Sequence, residues 1–351
     1  MFNVRVLNHE TIESILDMQQ VIEGVEKVYT LKAESRAEVF PMVFHEFERG
    51  VADMDIKSGH LKDADIFGLK LVSWYGDNPK QQLPALIGTT LVFDSATGKP
   101  IGLLSADYIT GMRTGAAAAI GAKVLARKNS KTLLMVGTGH ISIFAIAATL
   151  MTMDHIKTVK VYDPMDKMCA ERLVGHAKEK LEQAFLAKLE QNTSMYESIK
   201  RKFDVSFEVV EDLESATGVS DIILTATPSR KPMIMAAWVK PGTHFSCIGS
   251  DMSGKQEIDE KIFGTARIFV DDVEQAIHVG ETEMAINTGT ITKADIIAEI
   301  GCVMTGDVKG RQSDTDITVF DTTGIALQDL MTAKLALDIA EEKNMGTIVD
   351  L

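Results

Sequence analysis

Residues 131–163, KTLLMVGTGHISIFAIAATLMTMDHIKTVKVYD, constrain the fold more than any other stretch of this chain. Thr132–Val136 is mainly apolar, too short for a helix and followed by glycine, which predicts a buried parallel strand. Gly137-Thr138-Gly139 predicts a tight turn, and residues 141–153 a helix apolar almost all round, as suits packing on a sheet. A second strand over 158–161 ends at Tyr162-Asp163. The product is a βαβ unit whose helix N-terminus offers N–H groups and a positive dipole end to a pyrophosphate. Asp163 lies 24 residues beyond Gly139, where an acidic side chain would take the ribose hydroxyls. Ser142 replaces the third glycine of the usual fingerprint, so the order strand, turn, helix, strand, acid carries the reading. A carboxylate at Asp163 repels a 2′-phosphate, and Pro164, Met165 and Asp166 supply no compensating arginine. The pattern therefore favours NAD over NADP.

A length of 351 residues accommodates two domains. The formal net charge of −14 argues against nucleic acid or an anionic membrane as partner. The first residues lack a signal-peptide pattern, and the 141–153 helix is too short to span a bilayer. Three scattered cysteines, Cys169, Cys247 and Cys302, fit a reducing, cytoplasmic setting. The eight histidines include no pair at helical ligand spacing, so no zinc site is expected.

Along the chain, residues 11–31 carry apolar residues at helical spacing, with Asn8 or Thr11 as cap. Strands are expected over 39–47, 52–56 and 68–72, and a hairpin over 88–93 and 101–104. Asp107–Leu125 reads as an Ala-rich helix leading into the nucleotide domain. Residues 167–190 form a long polar helix, and the stretch to Lys202 reads as a surface elaboration. Strand signals at 207–210, 222–225, 244–248 and 268–270 continue a doubly wound sheet. Beyond Val319 one amphipathic helix is expected to return to the N-terminal unit. The fold class is therefore α/β: a Rossmann-type doubly wound sheet domain (116–321) plus an α+β substrate-binding and dimerisation domain (1–115 with 322–351).

Four places offer chemistry. Lys70 is a lone lysine in the apolar strand GLKLV: either an edge lysine that snorkels, or a cation held for a substrate carboxylate and desolvated enough to trade protons. Arg113-Thr114, read as a helix start before an Ala/Gly-rich turn, suits bidentate anion binding or a surface salt bridge. Asp251 follows a predicted strand, flanked by glycines, and either projects into the ligand crevice as an acid or base or closes an Asx turn. Residues 310–329 place small polar groups between the last strand and the return helix, where domains close on a ligand.

Taken together, RTGAAAAIGAKVLAR, VGTGHIS, IGSDMSGKQEID and GRQSDTDITVFDTTGIALQD resemble the ornithine cyclodeaminase/μ-crystallin family over nearly the whole chain. The resemblance implies a homodimer that uses a nicotinamide cofactor to move hydride to or from the α-carbon of an amino acid or its imine. It assigns Lys70 and Arg113 to the substrate, Arg113 also to the cofactor, and Asp251 to general acid/base work. It further assigns Thr114, Gly137, Gly139, His140, Ile141, Asp163, Thr225, Ser246, Cys247, Ile248, Gly249, Lys255 and Thr322 to the cofactor, and Thr323 to the substrate side. One carboxylate such as Asp251 can hold the departing amine proton, return it, and steady an iminium.

The chain departs from the family pattern in two places. Val43 stands about where an arginine is usual, and Pro84-Ala85-Leu86 replaces Pro-Thr-His. Lys57, in MDIKSGHL, is the expected substitute for the missing cation. The implied activity is NAD-dependent action on the C–N bond of a small amino-acid or imine substrate. Ornithine cyclodeamination is one form of it; an alanine-type dehydrogenase, ketimine reductase or opine-like condensing enzyme is another. A μ-crystallin-like binder with little turnover is the reading from a different class, and intact Lys70, Arg113 and Asp251 argue against it.

Overall fold

The computed structural model describes residues 2–351. The chain forms two compact units: the first from residues through Leu16, Glu23–Arg113 and Ile325–Leu351, the second from Asp17–Ile22 and Thr114–Gly324.

The first unit is built on an eight-stranded sheet. Its strand order is Thr347–Asp350, Asn3–Leu7, Pro100–Ser105, Leu86–Asp94, Ile66–Tyr75, Ala52–Leu61 and Ala37–Val39, and Val43–Glu48 also pairs with Ala52–Leu61. Asn3–Leu7 runs parallel to Pro100–Ser105; the other pairings are antiparallel. The hairpin between Leu86–Asp94 and Pro100–Ser105 closes where the Asp94 carboxylate accepts from Thr97 N at 2.8 Å.

Helix Ala326–Glu342 packs on this sheet, burying Leu327, Leu330 and Leu337 among others. The strands make room by omitting side chains under it. A Cβ at Gly59 or Gly68 would lie 2.7 Å from Leu327 or Leu330, and one at Gly102 2.5 Å from Leu337. Fully burying each such leucine contributes about 1.5–3 kcal/mol, so the glycines trade strand stability for helix seating.

One expectation for this unit needs correction, and one strand was not anticipated. The 11–31 helix is two helices, His9–Ile15 and Met18–Ala33, because Leu16 is extended (ψ 131°) and Asp17 accepts from Gln20 N at 2.9 Å, starting a new helix. Asn8 does cap the first, accepting from Thr11 N at 3.0 Å. A final strand, Thr347–Asp350, pairs with Asn3–Leu7 and has no strong sequence signal.

The second unit holds an eight-stranded sheet in the order Ser206–Val209, Thr158–Tyr162, Thr132–Val136, Ile222–Thr225, His244–Cys247, Thr318–Asp321, Arg267–Val270 and Ile296–Glu299. Every pairing is parallel, which buries both faces and explains the short apolar runs. Its core includes Leu134, Val136, Ile223, Phe245, Ile268 and Val319. The α/β class with a Rossmann-type sheet is thus the fold of the chain.

Here too the structure corrects the sequence reading. Thr318–Asp321, read as linker and helix start, is an interior strand between His244–Cys247 and Arg267–Val270; the helix begins only at Ala326. The 167–190 helix stops at Ala184, and a separate helix, Ser194–Phe203, follows with Thr193 as cap. That segment is more than surface: Phe185, Leu186, Ile199 and Phe203 are buried, and Phe185 meets Phe144 edge-on at 5.7 Å.

Candidate functional site

In the second unit the strand order reverses beside Thr132–Val136. The chain runs outward to Thr158–Tyr162 and Ser206–Val209, then crosses to Ile222–Thr225 on the other side. Ligands of open parallel sheets bind at such a switch point, beyond the carboxyl ends of the strands. Gly137 occupies it with φ +103°, and a Cβ there would lie 2.5 Å from the Ala226 carbonyl oxygen. Only glycine fits. Gly139 is the N-cap of helix His140–Thr152; no side chain caps that end, and a Cβ on Gly139 would meet nothing within 4 Å. The residues therefore fit a pyrophosphate: a helix N-terminus without a side-chain cap follows a turn whose two glycines leave room for close backbone approach. Ser142 turns inward, its hydroxyl donating to Gly139 O at 2.7 Å.

Asp163 caps the arrangement from the end of Thr158–Tyr162. Its carboxylate accepts from Thr138 Oγ1 at 2.5 Å, Met165 N at 2.9 Å and Asp166 N at 3.1 Å. Burial alone would raise its pKa, but these bonds prevail and hold it below the usual carboxylate range. An ionised carboxylate beside the turn suits a ribose diol. His140, exposed at the helix start, lies against Phe144 at 5.1 Å, and Ile141 follows it in the first turn.

The loops after the neighbouring strands are tied together by buried carboxylates that the sequence reading missed. Glu257 accepts from Thr227 N at 2.6 Å and Gly249 N at 3.1 Å, joining the loops after Ile222–Thr225 and His244–Cys247. Glu281 accepts from Ser250 Oγ at 2.5 Å, Glu257 N at 2.6 Å and Ile258 N at 3.1 Å. Asp271 accepts from Thr322 Oγ1 and Gly324 N, both at 2.8 Å, and from Thr323 Oγ1 at 3.2 Å. Asp321 accepts from Thr282 N at 2.8 Å. Burial raises the pKa of Glu257, Glu281 and Asp271, takes Asp321 to about 7, and pushes the Cys247 thiol up. The one signal in the sequence is Gly280-Glu281-Thr282-Glu283, an acidic first turn after glycine.

Asp251 stands in the loop after His244–Cys247, its side chain 52% exposed. The loop is pinned on both sides: Ser250 to Glu281, Ser253 Oγ to Glu283 at 2.6 Å and Gly254 N to Glu283 at 2.9 Å. Lys255 holds Asp251 Oδ1 at 2.5 Å, so this lysine serves the aspartate. Thr225 and Ile248 lie buried at or just past their strand ends, and Ile248 N donates to Thr225 O at 2.9 Å. Ser246 is not at the crevice: its hydroxyl donates to Ala118 O at 2.9 Å and meets His244 Nε2 at 2.9 Å inside the core. Thr322 and Thr323 are buried against Asp271.

The first unit carries a cluster of its own. Lys70 is interior to the sheet, flanked by Ala52–Leu61 and Leu86–Asp94, and 3% exposed, so it is no snorkelling edge lysine. Its Nζ donates to Asp329 Oδ1 at 3.0 Å. Arg113 Nε reaches the same oxygen at 3.2 Å, and its Nη1 reaches Gln328 Oε1 at 3.1 Å, while Gln328 donates to Tyr29 Oη at 2.5 Å. Arg113 lies in the second turn of Asp107–Leu125 and not at a helix start, so its anion affinity comes from burial with Lys70 and owes nothing to a helix end. The adjacent Thr114, in the second unit, is buried. Burial is the largest influence on Lys70 and lowers its pKa to about 8, with Arg113 and Lys57 pushing the same way and Asp329 opposing. Asp329 is held below its ordinary range: burial would raise it, but Arg113, Lys70 and Lys57 outweigh burial. Two buried cations on one carboxylate oxygen leave positive charge for a second anion. Val43, in the missing arginine's place, is exposed, whereas Lys57 is buried.

Residues 3–188 and 184–344 match the ornithine cyclodeaminase/mu-crystallin family. The chain belongs to that family. Family relatives run the full length. An alanine dehydrogenase of Archaeoglobus fulgidus is 37% identical over 97% of both chains. An iminosuccinate reductase of Paracoccus denitrificans is 31% identical over 99% of both. Among solved structures, an archaeal alanine dehydrogenase dimer with bound NAD superposes with a TM-score of 0.88 at 35% identity, covering 100% of each chain. Among the described residues, no group of three His, Cys, Asp or Glu is placed to hold a metal, and no helix is long and apolar enough to cross a membrane.

Proposed function

We propose that this protein is an NAD-dependent oxidoreductase acting on the C–N bond of a small amino acid and its imine, in the manner of an amino-acid dehydrogenase. The buried Lys70–Asp329–Arg113 cluster carries this reading, since a pure nucleotide binder has no use for two desolvated cations. Full-length relatedness to an alanine dehydrogenase and an iminosuccinate reductase supports it.

Gly137, Gly139 and the first turn of His140–Thr152 would hold the pyrophosphate, and Asp163 the adenosine ribose. When bound, the nicotinamide supplies the acceptor or donor for one hydride. Lys70 and Arg113 fix the substrate carboxylate, which orients the α-carbon. Asp251 takes a proton from the substrate ammonium, so that the neutral amine can lose hydride, and its charge steadies the iminium. Water addition to that iminium, with the proton handed back, releases ammonia and a keto acid; the reverse sequence is reductive amination.

The test is absorbance of NADH during incubation with L-alanine, L-proline, L-aspartate and L-ornithine plus NAD, and with keto acids, ammonia and NADH. Turnover with at least one small amino acid is expected; none with any would overturn the reading. In the same assay NAD(H) should outperform NADP(H), because Asp163 repels a 2′-phosphate, and Asp163→Ser should narrow the gap. Better use of NADPH by the unaltered protein would refute the cofactor assignment.

We also propose a homodimer formed through the first unit. Phe44, Phe47, Leu71, Tyr75, Leu86 and Ile87 are exposed on its strands, an apolar load that a monomer rarely leaves uncovered. Sedimentation at micromolar concentration should give twice the 38.3 kDa chain mass, and Phe47→Asp should weaken association. A monomeric unaltered protein would count against it.

A further inference from the structure

We propose that Glu283 is a positioning residue for the loop that carries Asp251; the proposal rests on reading Asp251 as the general acid/base. The Asp251 side chain is 52% exposed, so close packing does not fix it and its backbone must be held instead. Carboxylates take hold of that backbone on both sides. Before Asp251, Gly249 N donates to Glu257 Oε2 at 3.1 Å and Ser250 Oγ to Glu281 Oε1 at 2.5 Å. After it, Ser253 Oγ donates to Glu283 Oε1 at 2.6 Å and Gly254 N to Glu283 Oε2 at 2.9 Å. Glu283 thus commits both oxygens to the two residues that close the loop. Arg230, an exposed side chain, adds one longer bond from Nη1 to Ser253 O at 3.2 Å.

The clasp is itself anchored. Glu281 and Glu283 open helix Glu281–Asn287 and are 1% and 7% exposed. Gly280 precedes them at φ +96°, where a Cβ would lie 2.8 Å from Asp321 Oδ2, and Thr282 N donates to that same oxygen at 2.8 Å. The turn therefore rests on the end of the interior strand Thr318–Asp321. Glu281 also accepts from Glu257 N and Ile258 N, so its loss would disturb a neighbouring strand. Glu283 has a narrower task, since its other bond is a long one, 3.4 Å, from Asn287 Nδ2 in its own helix. An acid or base works only within hydrogen-bond reach of its proton, and a displacement of about 1 Å can cost about 10²-fold in rate. Holding Ser253 and Gly254 is therefore a catalytic matter, although Glu283 itself touches no reacting atom.

The experiment compares Glu283→Ala and Glu283→Gln in the full chain, using NAD and the best substrate among L-alanine, L-proline, L-aspartate and L-ornithine. Glu283→Ala should lower kcat about 10- to 100-fold, with KM for amino acid and NAD within about twofold. Glutamine can turn its carbonyl oxygen to Gly254 N and its amide to the Ser253 hydroxyl, which can accept, so Glu283→Gln should stay within about threefold of the unaltered rate. In an Asp251→Asn background Glu283→Ala should add no further loss, because a residue that acts through Asp251 has nothing left to place. A merely structural role would lower both backgrounds equally. That result, a near-normal Glu283→Ala, or a Glu283→Gln as damaged as Glu283→Ala would overturn the proposal. Amide hydrogen exchange over residues 249–255 of the NAD-loaded protein keeps the test separate from the parent reading, and it should quicken in Glu283→Ala but not in Glu283→Gln. Quickened exchange beside a near-normal Asp251→Asn, or without turnover of any amino acid, would sink the parent reading alone; unchanged exchange would sink this one.

Discussion

Asp251→Asn should bind NAD normally and lose about 10²–10⁴ in kcat. The substituted amide has the same shape but can neither accept the ammonium proton nor oppose the charge of an iminium. Dinucleotide affinity should change little, because it is set at the Gly137 turn and Asp163. The loop should also keep its place, since Ser250, Ser253 and Gly254 fasten it to Glu281 and Glu283 independently of Asp251. The exposed Asp251–Lys255 pair adds little stability. Single-turnover measurement with saturating NAD separates the two outcomes. A near-normal rate would make Asp251 a loop residue and remove the proton carrier from the mechanism.

Asp329→Asn acts on stability first. The carboxylate is fully buried and its Oδ1 receives both Lys70 and Arg113. Removing its charge leaves two desolvated cations facing each other, a loss of about 3–5 kcal/mol. The urea midpoint of the transition that reports the first unit should fall accordingly. The variant also has a chemical signature. Asp329 is the largest influence keeping Lys70 protonated near pH 8; without it burial, Arg113 and Lys57 prevail, and the Lys70 pKa drops below about 8. If protonated Lys70 anchors the substrate, the alkaline fall in kcat/KM should begin at lower pH in the variant. An unshifted limb together with unchanged stability would show that the cluster is not the anchor.

The nucleotide half of this chain was legible because its signals are local. Thr132–Val136 and Asp107–Leu125 have the bounds that their sequence indicates, and a glycine turn between a short apolar run and an apolar helix has few other solutions. The failures share a cause as well. Thr318–Asp321 is four residues that end in Asp and run on into Thr322-Thr323, and its place as an interior strand comes from two neighbours distant in sequence, His244–Cys247 and Arg267–Val270. No local pattern encodes that. Asp17 broke a continuous 3.6-residue pattern because a capping side chain outcompeted apolar periodicity.

Site chemistry followed the same division. Lys70 drew notice as a charge in an apolar strand, yet its partner Asp329, 259 positions away in an amphipathic helix, looked like an ordinary first-turn acid. Glu257 and Glu281 were likewise indistinguishable from surface acids until the loops they hold were seen in place. A buried acid is defined by what surrounds it, and a linear sequence shows only what precedes and follows it.

The glycine track beneath helix Ala326–Glu342 also fixes an order of assembly. The sheet of the first unit is unfinished along Gly59, Gly68 and Gly102 until that helix supplies Leu327, Leu330 and Leu337. During synthesis the ribosome must complete more than 200 further residues between Arg113 and Ile325 before the helix exists. The second unit, apart from Asp17–Ile22, is one unbroken stretch that includes all of its own strands. Domains commonly mature from the N-terminus as they emerge; here the part translated later is the first able to close. Until then the early strands carry an apolar face that nothing yet translated in their own unit covers along that track.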